Sequence, residues 1–526
     1  MQPTPPYAVN HPAIPLLHSY ATAGCPVDCG PDWTMHHILL LLKRGPHPSA
    51  QSRPAVIQLR EETVDKVKHG YARVVRWKDI KHDMPKNLKL SPVAMIPHKS
   101  KPFRCILDLS FKLKHKGKCY PSVNENTNPM SKQQSMAQLG SVLKRIICQM
   151  ARHYDPNHPF QFAKLDIKDG FWRMAVSDTD AWNFCYVLPT LDKNITLDDV
   201  EIVVPNSLQM GWCESPPFFC SGSETARDII ATIHHQDLPP HYLEGHMLEG
   251  CDAAAGNDPV NPLTLIEVYV DDFIGVTNDI QFTALKHLSR AMLHGIHSIF
   301  PPPAITKHCR HDPVSLAKLR KGEGRWSTQK DILGWILDGL NCTIQLPQEK
   351  STAIARLLRK TLKKQRVSIR KFQQLVGKLQ HASFGIPGGR SLFTPFDMAM
   401  HTTMDYVEVN PVLRSALQDW RYLVHAVAQK PTSIFQLISR PPAYIGHSDA
   451  CRLGAGGGVV RRHQRAPTSP MASPLATGYH ICPHHLYKSQ RHPLHQRPQT
   501  RGLAPWATGT GIGAYLTTIL PPGGIL

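Results

Sequence analysis

The chain has 526 residues, a formal net charge of +20 and a pI of about 9.4. That length accommodates about three domains, and that charge favours a polyanionic partner, either nucleic acid or an anionic membrane surface. No apolar run approaches the ~20 residues a bilayer span needs, so no membrane is expected and nucleic acid is the favoured partner.

Residues 1–55 are rich in Pro, His and Ser with weak periodicity, and read as a loose tail. The apolar run Ile38–Leu42 is too short and too far in for a standard signal peptide. Cys25 and Cys29 form an early pair, but no second pair follows at zinc-finger spacing. The 13 cysteines are therefore expected to be free thiols in a reducing, intracellular setting. The runs "HCRH" at His308–His311 and "HICPHH" at His480–His485 read as composition rather than as metal sites.

From residue 56 the pattern tightens. "AVIQLREETVDKVKHGYARVV" opens with helix-like spacing, and "PVAMIPHKSKPFRCILDLSFKL" reads as two strands around a basic turn. "FQFAKLDIKDGFWRMAVS" and "WNFCYVLP" are strand-like. "SPPFFCSGSETARDIIATIHH" is helix-like, with Ser215 as its N-cap and Pro216 in the first turn. Residues 236–262 are rich in acid, Gly and Pro and read as a surface insertion. "DILGWILDG" is a further short strand pair. Between Lys350 and Lys378 stand ten Lys/Arg and no Asp/Glu. Ile369, Phe372, Leu375, Val376 and Leu379 fall on one helical face, which puts the charge on the other. Solvated helices usually mix signs, so a single sign over about eight turns favours phosphate contact. After Asp449 there is no acidic residue through Leu526. That segment resembles a disordered tail, or translation of a degraded or shifted reading frame.

The chemistry concentrates in "LIEVYVDDFIGVTND", where Asp271 and Asp272 sit between two strand-like apolar runs. Adjacent carboxylates repel unless a turn solvates them or a cation sits between them. Enzymes that handle phosphates with two divalent ions need carboxylates converging from separate segments. The second source is "FAKLDIKDGFW", in which Asp166 ends an apolar strand.

The box Tyr269–Asp272, with the Asp166 segment before it, resembles the palm of reverse transcriptases from retroviruses and long-terminal-repeat retrotransposons. The resemblance runs in order along the chain. "KPFRCILDLS" is similar to the basic hairpin of the fingers, "KLDIKDGFW" to the first metal box, and "LQMGWCESPPFF" to the loop and helix that position template and nucleotide. "ILGWILDG" is similar to the primer-grip hairpin, and the basic helices from Lys350 onward to a thumb. The resemblance implies an α+β right-hand polymerase: fingers at 56–160, palm at 161–340 with the insertion at 236–262, and thumb/connection at 341–435. "AYIGHSDACRLGAGGGVV" resembles the first strand of a ribonuclease H domain, with Asp449 as first ligand and Gly454 and Gly456 in the turn. This gives a partial domain at 436–460 and a low-complexity, disordered tail at 461–526. The later carboxylates of such a nuclease are missing, so ribonuclease H activity is not expected.

The same resemblance implies RNA-directed DNA polymerase activity on an RNA or DNA template-primer with deoxynucleoside triphosphates. It implies two Mg²⁺ ions, or Mn²⁺, held by Asp166, Asp271 and Asp272, with the Ile167 carbonyl completing a shell. Arg104 would contact the triphosphate, a bidentate role that Lys does not reproduce, with Asp108 in support and Lys101 or Lys99 assisting. Phe171 would lie beneath the sugar and exclude a 2′-hydroxyl; on the residues alone it reads first as a core Phe. Met210 and Gly211 would line the nucleotide, although many relatives carry Gln or Phe where Met210 stands. Lys307 would protonate the leaving pyrophosphate, and Lys360, Lys363, Lys364, Arg370 and Lys371 would bind nucleic acid. Two other readings stay open: a catalytically inactive retroelement relic that still binds nucleic acid, and an RNA-templated RNA polymerase on a related palm.

Overall fold

The computed structural model describes residues 11–98, 101–129, 139–192, 194–251, 258–302, 311–401, 405–438, 444–451 and 454–461. Contacts divide the chain into two units, Met1–Ile438 and Ser439–Leu526. The first mixes helices with several small antiparallel sheets.

The N-terminal segment is not a loose tail from residue 11 onward. Thr34 caps the helix Met35–Arg44 by accepting from the His37 amide, and Gly45 follows at φ 67. Cys25, Cys29, Trp33, Ile38, Leu41, Leu42 and Ala50 are buried in the larger core cluster. The helix Arg53–Lys68 buries Ala55, Val56, Leu59 and Thr63, and the strand Ala72–Arg76 after it pairs with Glu201–Pro205. The two expected strands around the basic turn form as Val93–Pro97 and Phe103–Leu107, with Ile96 opposite Arg104.

The central sheet has Asp272–Thr277 in the middle, flanked by Gln161–Asp166 and Thr264–Tyr269. Phe162, Ala163 and Leu165 on one strand and Phe273, Ile274 and Val276 on the next are fully covered. The helices Ser215–Ile233 and Phe282–Ile299 pack closely together: a Cβ on Gly295 would come within 2.3 Å of Ile230 Cγ1. Ser215 is the first residue of its helix rather than the cap. Glu214 holds the cap position, while Ser215 Oγ donates to the Gln209 carbonyl at 2.8 Å.

The segment 236–262 is not simply a surface insertion. Leu238, Leu243 and Met247 are buried, and Arg290 Nε donates to Glu244 at 2.6 Å, which fixes the short helix Glu244–Leu248 against Phe282–Ile299. The acidic residue that looked like loop composition serves as this ion-pair anchor.

A second core lies under the sheet Gln329–Ile332, Trp335–Asp338, Thr343–Gln345 and Thr432–Ser433. The helices Gln348–Leu362, Ile369–Ser383 and Pro411–Gln429 close it with Leu358, Phe372, Leu375, Val376, Leu379 and Trp420. Each such apolar side chain stabilises by about 1.5–3 kcal/mol. The expected apolar face of Ile369–Ser383 is therefore the buried one. The second unit is described only as the hairpin Tyr444–Cys451 and Gly454–Arg461, with Asp449 in register with Gly456. Most of the expected tail, 462–526, lies outside the described residues.

Candidate active site

The hairpin turn is two residues long, Val270 and Asp271, between Tyr269 and Asp272. Val270 adopts φ 58, a conformation that a β-branched residue rarely takes. Such a conformation costs on the order of 1–3 kcal/mol and persists only where its surroundings enforce it. Here the enforcement comes from six paired residues on each strand. Asp272 stands in register with Asp166, which places the two on neighbouring strands at one sheet end. The Ile167 amide donates to the Asp271 carbonyl at 2.9 Å, so the turn is tied to the residue after Asp166.

A further segment completes the edge. Lys168 N–H donates to Pro313 O at 2.8 Å and Ser315 N–H to Asp166 O at 3.0 Å, around the antiparallel bridge of Ile167 with Val314. Extended backbone sends a residue's N–H and C=O to the same side. The Ile167 carbonyl therefore faces the hairpin turn, while its side chain is buried.

The three carboxylates raise one another's cost. Burial pushes Asp271 up to about 6, and the Asp166 and Asp272 charges push in the same direction. Burial likewise raises Asp166 and Asp272, with Lys318 opposing in both and Lys164 helping. Lys318 Nζ contacts Asp166 Oδ1 directly. Burial disfavours the lysine's charge, but the Asp166 carboxylate overrides this and raises its pKa. Lys318 went unnoticed in the sequence. It lies 152 residues from its partner, in the short helix Leu316–Arg320 that follows the bridged segment. Lys307, expected as a proton donor, and Lys99 lie outside the described residues.

Asp169, three residues after Asp166, serves a different purpose. Burial works against its charge, yet Lys66 at 2.6 Å holds its carboxyl below the usual range. The Lys66 ammonium also lies 5.0 Å over the Trp172 ring and 5.1 Å over Tyr71. Asp169 at φ 57 ends the strand, and the chain turns into a 3-10 segment at Phe171–Arg173 instead of continuing as the expected strand.

Of the expected substrate residues, Arg104 and Met210 meet: Arg104 Nη2 lies 3.1 Å from Met210 Sδ. Gly211 at φ 107 lets the loop approach the basic hairpin, since a Cβ there would stand 2.9 Å from Leu107 O. Asn124 Nδ2 donates to Gly211 O at 2.8 Å and fixes the loop. Asp108 Oδ1 accepts from the Ser110 amide at 3.2 Å and shapes the turn after the strand. Lys101 is engaged by Glu62 at 2.6 Å. Phe171 is half-buried and meets Phe219 edge-on at 5.4 Å. Lys360, Lys363, Lys364, Arg370 and Lys371 are all exposed, around the corner between Gln348–Leu362 and Ile369–Ser383. Among the described residues, none of the five has an ion-pair partner.

No family model matches the chain, and no curated protein matches it. Solved structures do. A foamy viral protease-reverse transcriptase in complex with double-stranded DNA is 14% identical over 84% of this chain and 57% of that one, at a TM-score of 0.43. Structures of the foamy viral protease-reverse transcriptase with double-stranded DNA and with an RNA/DNA hybrid are 14% and 15% identical. Each covers 80% of this chain, with 66% and 43% of theirs, at a TM-score of 0.42. The chain thus spans between 43% and 66% of the length of these proteins, and a likeness this distant decides nothing about the site.

Proposed function

We propose that the chain is a template-directed nucleotidyltransferase of the reverse-transcriptase kind, adding deoxynucleotides to a primer 3′-hydroxyl. The observation that carries this reading is the convergence of Asp166, Asp271 and Asp272 from two strands and a strained turn, with a lysine ammonium already lodged on one of them. In this reading, 56–160 forms the fingers, 161–340 the palm and 341–435 the thumb.

The donor set fits a hard divalent cation. Three half-buried carboxylates with raised pKa values carry more negative charge than the one lysine on Asp166 balances, and oxygen ligands suit Mg²⁺ or Mn²⁺. Asp166 and Asp271 would hold such ions, with the Ile167 carbonyl beside them and Asp272 adding negative field. Bound there, Mg²⁺ supplies Lewis acidity to the primer hydroxyl and neutralises charge on the triphosphate. Lys318 keeps a proton and a positive charge at Asp166, which orients that carboxylate before substrate arrives. Arg104, half-buried on its hairpin, takes a triphosphate oxygen pair, and the neighbouring Met210–Gly211 loop lines the nucleotide. Phe171 bounds the sugar. The basic corner from Lys360 to Lys371 holds the template-primer backbone, which fixes register without reading sequence.

Extension of a primer on an RNA template, with deoxynucleotides and Mg²⁺, tests the reading. Extension by the full chain and none by Asp271→Asn supports it. Binding of template-primer without extension under any divalent ion favours the inactive relic instead, and preferential use of ribonucleotides favours the RNA polymerase.

A further inference from the structure

A second cluster of chemistry-bearing side chains lies outside the carboxylate site. Asp65 and His69 occupy positions i and i+4 at the end of the helix Arg53–Lys68, and His311 comes from the segment that leads into Val314. Such spacing puts two helical side chains on one face. One donor atom from each of the three residues lies within 4.8 Å of the others. The Asp65 Oδ1 to His311 Nε2 distance is 3.5 Å. Two ligands bound to a tetrahedral ion at about 2.1 Å each stand about 3.4 Å apart. We propose that Asp65, His69 and His311 form a binding site for a Zn²⁺-class divalent ion, with solvent as the fourth ligand.

The surroundings prepare the ligands. His69 Nδ1 lies 2.7 Å from the Asp65 backbone carbonyl. The same nitrogen stands 3.3 Å from Asp65 Oδ1, close to the spacing of two ligands on one ion. Arg173 fixes the other side, donating from Nη2 to the carbonyls of His311 and Asp312 at 2.9 Å each and from Nε to Lys168 O at 2.7 Å. The His69 and His311 rings lie 4.1 Å apart. Burial, then the Lys168 and His69 charges, keep His311 below the usual imidazole range, so at neutral pH it is uncharged and can ligate. The Lys168 charge opposes a cation here; the Asp65 carboxylate offsets it. Two imidazoles with one carboxylate suit Zn²⁺ and Co²⁺ and not Mg²⁺, which prefers oxygen donors throughout. The ion would staple the helix end to the segment that bonds Asp166 through Ser315.

The test uses the full chain stripped with EDTA and titrated with Co²⁺ while millimolar Mg²⁺ occupies oxygen-only sites. The expected result is one equivalent of Co²⁺ with the intense visible absorption of a tetrahedral site, bleached by Zn²⁺, and a melting temperature that rises with either ion. His311→Gln and Asp65→Ala each weaken uptake at least ~100-fold, since loss of even an outer partner costs 10–100-fold. Both positions reach solvent, so both variants should melt in EDTA where the unaltered chain does. No Co²⁺ uptake by the unaltered chain, or equal uptake by both variants, overturns the proposal. Neither readout depends on primer extension, so failure here leaves the polymerase reading standing.

Discussion

Replacing Asp271 with Asn should make the metal-free protein more stable while abolishing extension. Asp271 has an ordinary pKa of 3.8 and is pushed up to about 6 in the fold, first by burial and then by Asp166 and Asp272. At about 1.4 kcal/mol per pKa unit, that gap amounts to about 3 kcal/mol against the ionised carboxyl. A carboxyl whose pKa is raised in the folded state contributes its full stability below 3.8 and loses it as pH climbs through about 6. At pH 8 the whole penalty is therefore present, at pH 5 about half of it remains, and it disappears only below 3.8. Asparagine carries no charge at either pH but remains a polar group in the same place, so part of the penalty is recovered, about 1–3 kcal/mol at pH 8. Urea unfolding in EDTA, comparing midpoints at unchanged slope, reads the difference. Added Mg²⁺ should raise the midpoint of the unaltered chain more than that of the variant, because only the former has the full charge to neutralise. A variant equally destabilised at pH 5 and pH 8 would refute the reasoning. It would mean that the Asp271 carboxylate is held by partners rather than strained by its neighbours.

The other predictions follow from the same geometry. Lys318→Ala removes the cation on Asp166. Because the lysine side chain is 40% exposed, the loss in EDTA at pH 8 should be only about 1–2 kcal/mol, and Mg²⁺ should restore most of it. A loss that Mg²⁺ leaves untouched would place the role of Lys318 in packing. Changing Lys360, Lys363 and Lys364 to Glu should weaken template-primer binding and flatten the plot of log affinity against log salt by up to about 2–3, at ~0.9 per phosphate contact. An unchanged slope would mark these residues as merely solvated. Phe171→Ala should cost ~1–3 kcal/mol of discrimination between deoxy- and ribonucleotides, measured as a ratio of kcat/KM values. If that ratio stays put while the protein loses about 3–5 kcal/mol of stability, the contact with Phe219 is all that Phe171 provides.

The parts legible in the sequence were those set by local pattern. The alternation around Asp166 and the paired apolar runs around Asp271 are short-range signals, and they became adjacent strands in one sheet. The apolar spacing from Ile369 to Leu379 became a buried helix face for the same reason. What escaped was set by chain closure. Trp33, Ile38, Leu41 and Leu42 stand among Pro and His, so their burial comes from tertiary contact rather than from any composition a window could register. Leu238, Leu243 and Met247 are spread through Gly- and Pro-rich sequence and find their partners on another helix and beyond. Beyond the strand Gln161–Asp166 the chain turns at Asp169, which adopts φ 57 and pairs with Lys66, a residue 103 positions earlier. No periodicity carries that information.

The site's strain and its charge have one source. A hairpin with Gly or Asn in its turn would reach positive φ at little cost, yet Val270 stands there at φ 58. Two carboxylates beside a third would be easily tolerated in water, yet all three are partly withdrawn from it and raised in pKa. Both features cost stability, and both put Asp271 where Asp166 already is. A fold selected only for stability would relax the turn or expose the acids. The flanking strands instead hold the arrangement fixed, with ladders running from Asp272 to Thr277 on both sides and the Ile167 amide closing on the turn itself. Lys318 supplies one positive charge where the three carboxylates call for more. The remaining imbalance is a standing preference for a cation of higher charge. A site that binds such an ion relieves its own repulsion in doing so, which couples the stability of the sheet end to occupation of the site.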